Sequence, residues 1–255
     1  MKRLLFVFLM LNSIKAVGCS CGFTRLAEKY QRSEFIAIAK ILKIEQNIND
    51  QDYHDVDIEL KDLYKGKAIK KLKVLSVLNS SCAFLPSEST TWLIFASTDR
   101  KGFLSFGFCS GSKQIDRQFD LIEYPNLDVK YRKSIDLKLE VLAFIKKNKI
   151  PVGNNNLITN DYSICSDELK GFNENERFAV YQIDVNRDLS IENIQILKKF
   201  KNRKLSKTLT ACIRNNLKIK TKNMSLLPEK TEITLIYFCY PGQGENTSVV
   251  SPGDL

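Results

Sequence analysis

The sequence predicts a mainly β chain that continues into a small α+β unit, and three features support this fold class. Five segments between residues 34 and 109 have the apolar or alternating pattern of β-strands, with turn signals between them. The stretch 134–148 then changes to the helical period. After residue 157 the segments follow the order β-β-α-β, which is typical of a small α+β domain.

The strands of the first unit differ in pattern. Residues 55–60 alternate strictly between apolar and acidic side chains, which indicates a strand with one solvated face. Residues 92–96 form an apolar run that suits a buried strand, and Lys65-Gly66-Lys67 marks a turn. The other predicted strands are 34–44, 72–78 and 102–108. This spacing suits a small closed or sandwiched β structure.

The helix 134–148 separates the two units. Ser134 can cap its start, and the lysines at 146, 147 and 149 suit the negative end of the helix dipole. The run 151–156 is rich in Asn, Pro and Gly and is predicted to be a linker.

The second unit is predicted to contain three strands and one helix. The strands are 178–185, 190–197 and 231–240, and the helix is 205–217. A turn at Asn186-Arg187-Asp188 joins the first two strands. The whole chain is predicted to divide into a leader segment (1–18), the first unit (19–125), a helix with a linker (126–156), the second unit (157–242) and a disordered tail (243–255).

The first eighteen residues have the pattern of a secretory signal. Met1-Lys2-Arg3 is basic, residues 4–11 are apolar, and Ala16-Val17-Gly18 precedes Cys19 with small residues at −3 and −1. Cleavage before Cys19 removes three basic residues and no acid, so the net charge of +10 falls to about +7. The protein is therefore expected to be secreted or periplasmic, where disulfides are the default for its seven cysteines.

The side chains that could catalyse a reaction or bind a metal do not form an enzyme's pattern. The sequence has one histidine, His54, so a three-histidine zinc site is excluded. His54 lies in a polar run and is predicted to be solvated in a loop. Asp55, Asp57 and Glu59 alternate on one strand face and are interpreted as its wet side. No phosphate-binding loop or nucleophile elbow is present, and we expect no catalytic residue, no cofactor and no intrinsic metal.

A set of motifs in the first unit resembles a known family. These motifs are Cys19-Ser20-Cys21, the segment 33–41, Tyr64-Lys65-Gly66, Ser80-Ser81-Cys82, the strand 92–96 and Phe108-Cys109. Together they resemble the netrin-like family, and specifically the inhibitory domain of the tissue inhibitors of metalloproteinases (TIMPs). The resemblance covers about residues 19–110 and implies a five-stranded OB-type barrel with the N-terminal Cys-x-Cys fastened across it.

The resemblance also implies disulfides and a function. Four cysteines alone allow three connectivities, and the family pattern implies the pairs Cys19–Cys82 and Cys21–Cys109. It implies that the free amine and carbonyl of Cys19 chelate the zinc of a secreted metalloprotease, while Ser20 enters the specificity pocket. The third disulfide of the family domain and its flanking contact loops have no counterpart in this chain.

A lipoprotein is the alternative interpretation of the same cysteine. Residues 16–19 also form a marginal lipobox, with Ala16 where Leu is usual. Lipidation would place acyl chains on the sulfur and usually on the amine of Cys19, and would make the protein an outer-membrane lipoprotein with a structural or assembly role. It would also forbid both the Cys19–Cys82 bridge and zinc chelation by the amine.

Residues of about 175–240 resemble, more weakly, the C-terminal domain of TonB-type energy transducers. The resemblance rests on the strands 179–185 and 191–196, the helix near 205–217, Pro228 and the strand that ends at Phe238. It implies a binding module that acts by strand addition. In this unit we predict a disulfide between Cys212 and Cys239, which leaves Cys165 unpaired.

A basic stretch without acidic residues lies within the second unit. Its ten cations are Lys198, Lys199, Lys201, Arg203, Lys204, Lys207, Arg214, Lys218, Lys220 and Lys222. The stretch is either a solvated face or a patch for an anionic membrane, a glycan surface or an acidic protein. Nucleic acid is not an expected partner, because export removes the usual ligand and no aromatic-interleaved motif is present.

Overall fold

The structure is a computed structural model that describes residues 18–22, 24–120, 122–151, 157–160, 164–242 and 247–254. The predicted signal segment lies outside the described residues except for Gly18, and so does most of the predicted linker. No helix within these ranges combines the length and the apolar character that crossing a bilayer requires.

The first unit is a closed five-stranded barrel of the OB type, as the sequence predicts. The strands pair in the order β1-β2-β3-β5-β4, and a β1–β4 pairing closes the barrel. Only the β3–β5 pairing is parallel among these, and β6 adds to the free side of β4. The strand bounds are β1 Phe35–Gln46, β2 Tyr53–Lys65, β3 Lys71–Leu75, β4 Thr91–Thr98, β5 Leu104–Gly107 and β6 Lys113–Gln114.

Strand β1 closes the barrel because it is long and bent. Its register with β2 shifts at three places along the strand, and such irregularities bend a strand and increase its twist. Its N-terminal half can therefore pair with β4 while its whole length pairs with β2. Alternate side chains of β1, including Phe35, Ala37, Ala39 and Ile41, fill the barrel interior with Trp92.

The second unit is a four-stranded antiparallel sheet in the order β12-β11-β8-β9, accompanied by a two-stranded pair, β10-β7. Its strand bounds are β7 Leu157–Thr159, β8 Phe178–Asn186, β9 Ile191–Lys198, β10 Ile219–Thr221, β11 Lys230–Tyr240 and β12 Val249–Ser251. The α-helices of the described ranges are α1 Leu26–Arg32, α2 Leu127–Asn148 and α3 Arg203–Asn216, and Met224–Leu226 is a short 3-10 helix.

The central strands β8 and β11 are apolar on both faces because each face covers a different core. Tyr181 and Tyr237 belong to a core beneath α3. Their neighbours Val180 and Ile236 belong to a second core, which also contains Val141 of α2. Side chains alternate between the faces of a strand, so one apolar run serves both cores.

The second core joins the two units of the chain. Besides α2 and the sheet, it contains Leu26 of α1 and Leu93 and Phe95 of β4. Helix α2 therefore packs between the barrel and the sheet instead of connecting two separate bodies. Burial of its side chains Val141, Leu142 and Ile145 is complete.

Helix α2 begins seven residues before the predicted start. Asn126 precedes it in a left-handed conformation, with φ at 71°. The first turns are largely exposed. They are held by Asp128, which accepts from Arg132, and by Tyr131, whose hydroxyl donates to the carbonyl of Gln114 at 2.6 Å. Ser134 is thus inside the helix, where it accepts from Lys138.

The prediction of a disordered tail is wrong, because residues 247–254 are ordered. Strand β12 pairs with β11, and Val250 is buried in the core beneath α3. Asp254 is buried as well, and its carboxylate accepts from the backbone N–H of Leu26 at 2.9 Å. Gly, Pro and Ser in this segment suggest a loop, but a buried carboxylate with partners in other elements outweighs local composition.

Candidate functional site

The candidate site is the Cys-x-Cys segment, residues 19–21, which two disulfides fasten to the barrel. Cys19 is joined to Cys82 and Cys21 to Cys109, with Cα–Cα distances of 5.1 and 5.3 Å. These are the pairs that the family resemblance implies. The bridges span 63 and 88 residues, and in the chain-entropy model loops of this length contribute roughly 4–5 kcal/mol each.

The two anchor cysteines lie in connections between barrel strands. Cys82 lies between β3 and β4, where its N–H donates to Ser80 Oγ at 3.1 Å. In the same connection the N–H of Phe84 donates to the carbonyl of Ser76 at 2.9 Å. Cys109 follows the end of β5 by two residues. The Cys-x-Cys segment is therefore held at two points of a rigid barrel.

The backbone nitrogen of Cys19 has a specific partner. It donates to Ser81 Oγ at 2.8 Å. Ser81, which precedes the disulfide partner Cys82, therefore orients the nitrogen of Cys19. Ser20 is exposed between the two disulfides. The arrangement presents one small polar side chain and one oriented nitrogen on a fixed backbone.

Exposed apolar side chains lie close in sequence to both anchors. Leu78 and Leu85 flank Cys82 in the β3–β4 connection, and Phe108 precedes Cys109. Phe108 is 51% exposed. Exposed apolar groups around a fixed polar centre are typical of protein-binding surfaces.

A cleft of about 560 Å³ adjoins the Cys-x-Cys segment. Cys21, Phe108 and Cys109 line one part of it, and three lysines and Asp254 line another. Burial and the neighbouring Lys29 lower the pKa of Lys113, and burial lowers that of Lys138. The cleft therefore has a basic wall, in which Asp254 is the only acidic side chain among the described lining residues.

His54 does not lie in a solvated loop as predicted, and this is a second correction. It belongs to β2 and is buried, with its Nδ1 2.8 Å from Ser76 Oγ. Ser76 in turn donates to the carbonyl of Asp52 at 2.9 Å. Burial lowers the pKa of His54. The histidine supports the start of the connection that carries Cys82, a role for which its polar sequence neighbours contain no signal.

The three acidic side chains that alternate in the first half of β2 have lysine partners. Asp55 pairs with Lys73, Asp57 with Lys71 at 3.2 Å, and Glu59 with Lys61 at 2.6 Å. They form the outer, charged face of the strand, where the alternation of the sequence places them. The described residues contain no group of three or more His, Cys, Asp or Glu side chains arranged to hold a metal ion.

The third disulfide is Cys165–Cys212, and the predicted Cys212–Cys239 pair is wrong. Cys165 lies over α3 at a Cα–Cα distance of 5.9 Å from Cys212. Cys239 is a free, buried thiol, and burial raises its pKa. Three cysteines allow three pairings, and the position of the irregular segment around Cys165 depends on tertiary packing.

Two members of the basic stretch form ion pairs with an acidic side chain of the second unit. Lys198 and Lys201 pair with Glu176. Seven others are exposed and form no ion pair with any described residue. These are Lys199, Arg203, Lys204, Lys207, Arg214, Lys218 and Lys220.

Comparison of the chain with models of protein families and with curated proteins found no match. The disulfides nevertheless indicate the compartment in which the protein folds. Three bridges within one chain indicate an oxidising compartment outside the cytoplasm.

Proposed function

We propose that this disulfide-stabilised protein is exported and inhibits a secreted zinc metalloprotease through its N-terminal Cys-x-Cys segment. One observation carries the proposal: two disulfides hold residues 19–21 on the barrel, with Ser20 exposed between them. A TIMP-like inhibitor needs this arrangement, because its zinc ligands are main-chain atoms that must be fixed without help from a side chain.

The proposed chemistry begins with cleavage behind Gly18. The Cys19 nitrogen then becomes an α-amine, whose ordinary pKa of roughly 8 leaves an appreciable neutral fraction near neutral pH. A neutral amine and the adjacent carbonyl can together bind a catalytic zinc and displace its water. The hydrogen bond from this nitrogen to Ser81 Oγ would help to keep it oriented toward the metal.

The surroundings of the segment supply affinity in two ways. The disulfides remove most of the conformational freedom that binding would otherwise cost. Leu78, Leu85 and Phe108 offer exposed apolar area near both anchors, suited to the rims of a protease cleft. The small hydroxyl of Ser20 is compatible with the mouth of a specificity pocket.

The lipoprotein alternative needs the Cys19 sulfur for a thioether bond. In the fold this sulfur is bonded to Cys82, and one sulfur cannot form both bonds. Loss of the disulfide would also leave Cys82 unpaired. The disulfide therefore supports the inhibitor over the lipoprotein.

The test compares two forms of the mature protein against a panel of secreted zinc endopeptidases with a fluorogenic peptide substrate. One form begins at Cys19, and the other carries one added Ala before it. The extension turns the amine into an amide, so we expect inhibition to weaken by about two orders of magnitude or more. Equal inhibition by both forms would exclude chelation through the amine.

A further inference from the structure

A second region of the molecule contains both exposed apolar side chains and cations that form no ion pair with any described residue. We name it the basic-apolar surface; its members are Arg203, Lys204, Lys207, Arg214, Lys218, Lys220, Ile158, Met224 and Leu226. We propose that this surface docks the protein onto a membrane that contains anionic lipid. The proposal is independent of the N-terminal inhibitory site.

The cations of helix α3 lie on its outer side. Leu205, Leu209 and Ile213 are fully buried and face the core beneath the helix. Lys207 follows Arg203 by four residues and precedes Arg214 by seven, so these three side chains form one stripe along the helix. Lys204 and Lys207, three residues apart, are neighbours on the same exposed side.

The chain leaves helix α3 at Asn216 and enters β10 at Ile219, and the pair of β7 and β10 adds an exposed cation and an exposed apolar side chain. Lys220 lies directly opposite Ile158, so both side chains share one face of the pair. Ile219 and Thr159, also opposite each other, are buried on the other face. Ile219 belongs to the same core as the buried side of α3, so the exposed sides of both elements point away from one core.

The apolar members lie beside the cations. Ile158 is 47% exposed, Met224 48% and Leu226 61%, and the latter two lie in the 3-10 helix that begins three residues after β10. A single exposed apolar side chain is ordinary. Three of them, together with six cations that have no ion-pair partner among the described residues, match the composition of segments that lie in a membrane interface.

The apolar side chains are the reason to favour lipid over a polyanionic glycan. Both ligands would attract the cations, because residues 198–222 contain no acid and, among the described residues, Glu176 pairs with Lys198 and Lys201 alone. Only a membrane offers an apolar layer for Ile158 and Leu226 once the cations have reached the anionic head groups. A glycan chain would leave these side chains in water.

The test measures co-sedimentation with vesicles of phosphatidylcholine alone and of phosphatidylcholine mixed with phosphatidylglycerol, using the full chain. The wild type should bind the mixed vesicles and not the neutral ones, and binding should weaken at high salt. The affinity of the variant Lys204→Gln/Lys207→Gln/Arg214→Gln for the mixed vesicles should be lower by a factor of about ten or more. A matched control, Lys67→Gln/Lys70→Gln/Lys147→Gln, removes the same charge from exposed lysines elsewhere and should bind like the wild type.

A second variant separates lipid from glycan. Ile158→Ser/Leu226→Ser should lower vesicle binding several-fold while leaving retention on immobilised heparin unchanged. The proposal is overturned if the apolar variant binds vesicles like the wild type, since the surface would then respond to charge alone, as for a glycan. Equal losses in the control and the charge variant would also overturn it, because binding would then follow net charge only. Unchanged thermal unfolding of each variant shows that its fold is intact.

Discussion

Asp254, in the C-terminal segment, is paired with Lys138 in the middle of helix α2, with Oδ2 and Nζ 3.4 Å apart. The same carboxylate accepts from Lys29 at 3.2 Å and from the N–H of Leu26 at 2.9 Å. It thereby connects the last strand of the second unit to α1 beside the barrel and to the helix between the units.

Removal of this carboxylate should destabilise the whole molecule. The side chains of Asp254 and Lys138 are 1% and 7% exposed, so Asp254→Asn would leave a buried ammonium without its counter-charge. A loss of about 3–5 kcal/mol in the free energy of unfolding is expected from breaking one side of a buried pair. Urea unfolding measures it. Glu59→Gln, which breaks the exposed pair with Lys61, is the control and should leave the midpoint unchanged; an equally small effect of Asp254→Asn would contradict the bridging role.

Stability should depend on the protonation of His54. Burial lowers its pKa below the ordinary 6.5, so the unfolded chain binds a proton more readily than the folded chain. The neutral histidine therefore contributes its full stability above pH 6.5, and this contribution is lost as the pH falls toward the lowered folded pKa. Urea midpoints at neutral and mildly acidic pH should fall more in the wild type than in His54→Gln. Parallel falls would argue against a buried neutral histidine.

The disulfide pattern of the second unit can be read chemically. Non-reducing peptide mapping should recover Cys165 linked to Cys212, and a maleimide should label Cys239 only after denaturation, since that thiol is buried. Cys165→Ser opens a loop of 47 residues and should cost about 4 kcal/mol in the chain-entropy model. Recovery of a Cys212–Cys239 peptide would restore the sequence-based pairing and refute the structural one.

Two glycines with positive φ offer a matched test of the barrel turns. Gly66, at φ 92°, would place a Cβ 2.4 Å from the carbonyl oxygen of Glu34, whereas Gly102, at φ 82°, has open space around it. Gly102→Ala should therefore cost only backbone strain, about 1 kcal/mol. Gly66→Ala should cost at least about 2 kcal/mol, because the clash with backbone adds to that strain. Similar thermal shifts of the two variants would mean that the approach to Glu34 is not tight.

The strands were predictable from the sequence because their signal is local. The alternation of residues 55–60 and the apolar run of residues 92–96 report a face and a burial state that neighbouring residues determine directly. The closure of β1 onto β4 also agrees with a barrel, although the bends of β1 that permit it leave no clear mark in the pattern.

Three of the errors concern residues whose state depends on distant partners. Asp254 is ordered by Lys138, which precedes it by more than a hundred residues, and His54 is buried through its contact with Ser76. Cys212 pairs with Cys165 because an irregular segment lies over α3. At the candidate site, the family resemblance implied the two disulfides of the Cys-x-Cys segment, but the hydrogen bond to Ser81 Oγ needed the fold.

The proposed inhibition depends on the chemical state of Cys19, which mass spectrometry of the N-terminal peptide of the mature protein determines. Under non-reducing conditions we expect a chain that begins at Cys19, with an unmodified α-amine and its sulfur bonded to Cys82. A diacylglyceryl thioether on Cys19, an acylated amine, or Gly18 still attached to it would contradict the proposed inhibitory chemistry.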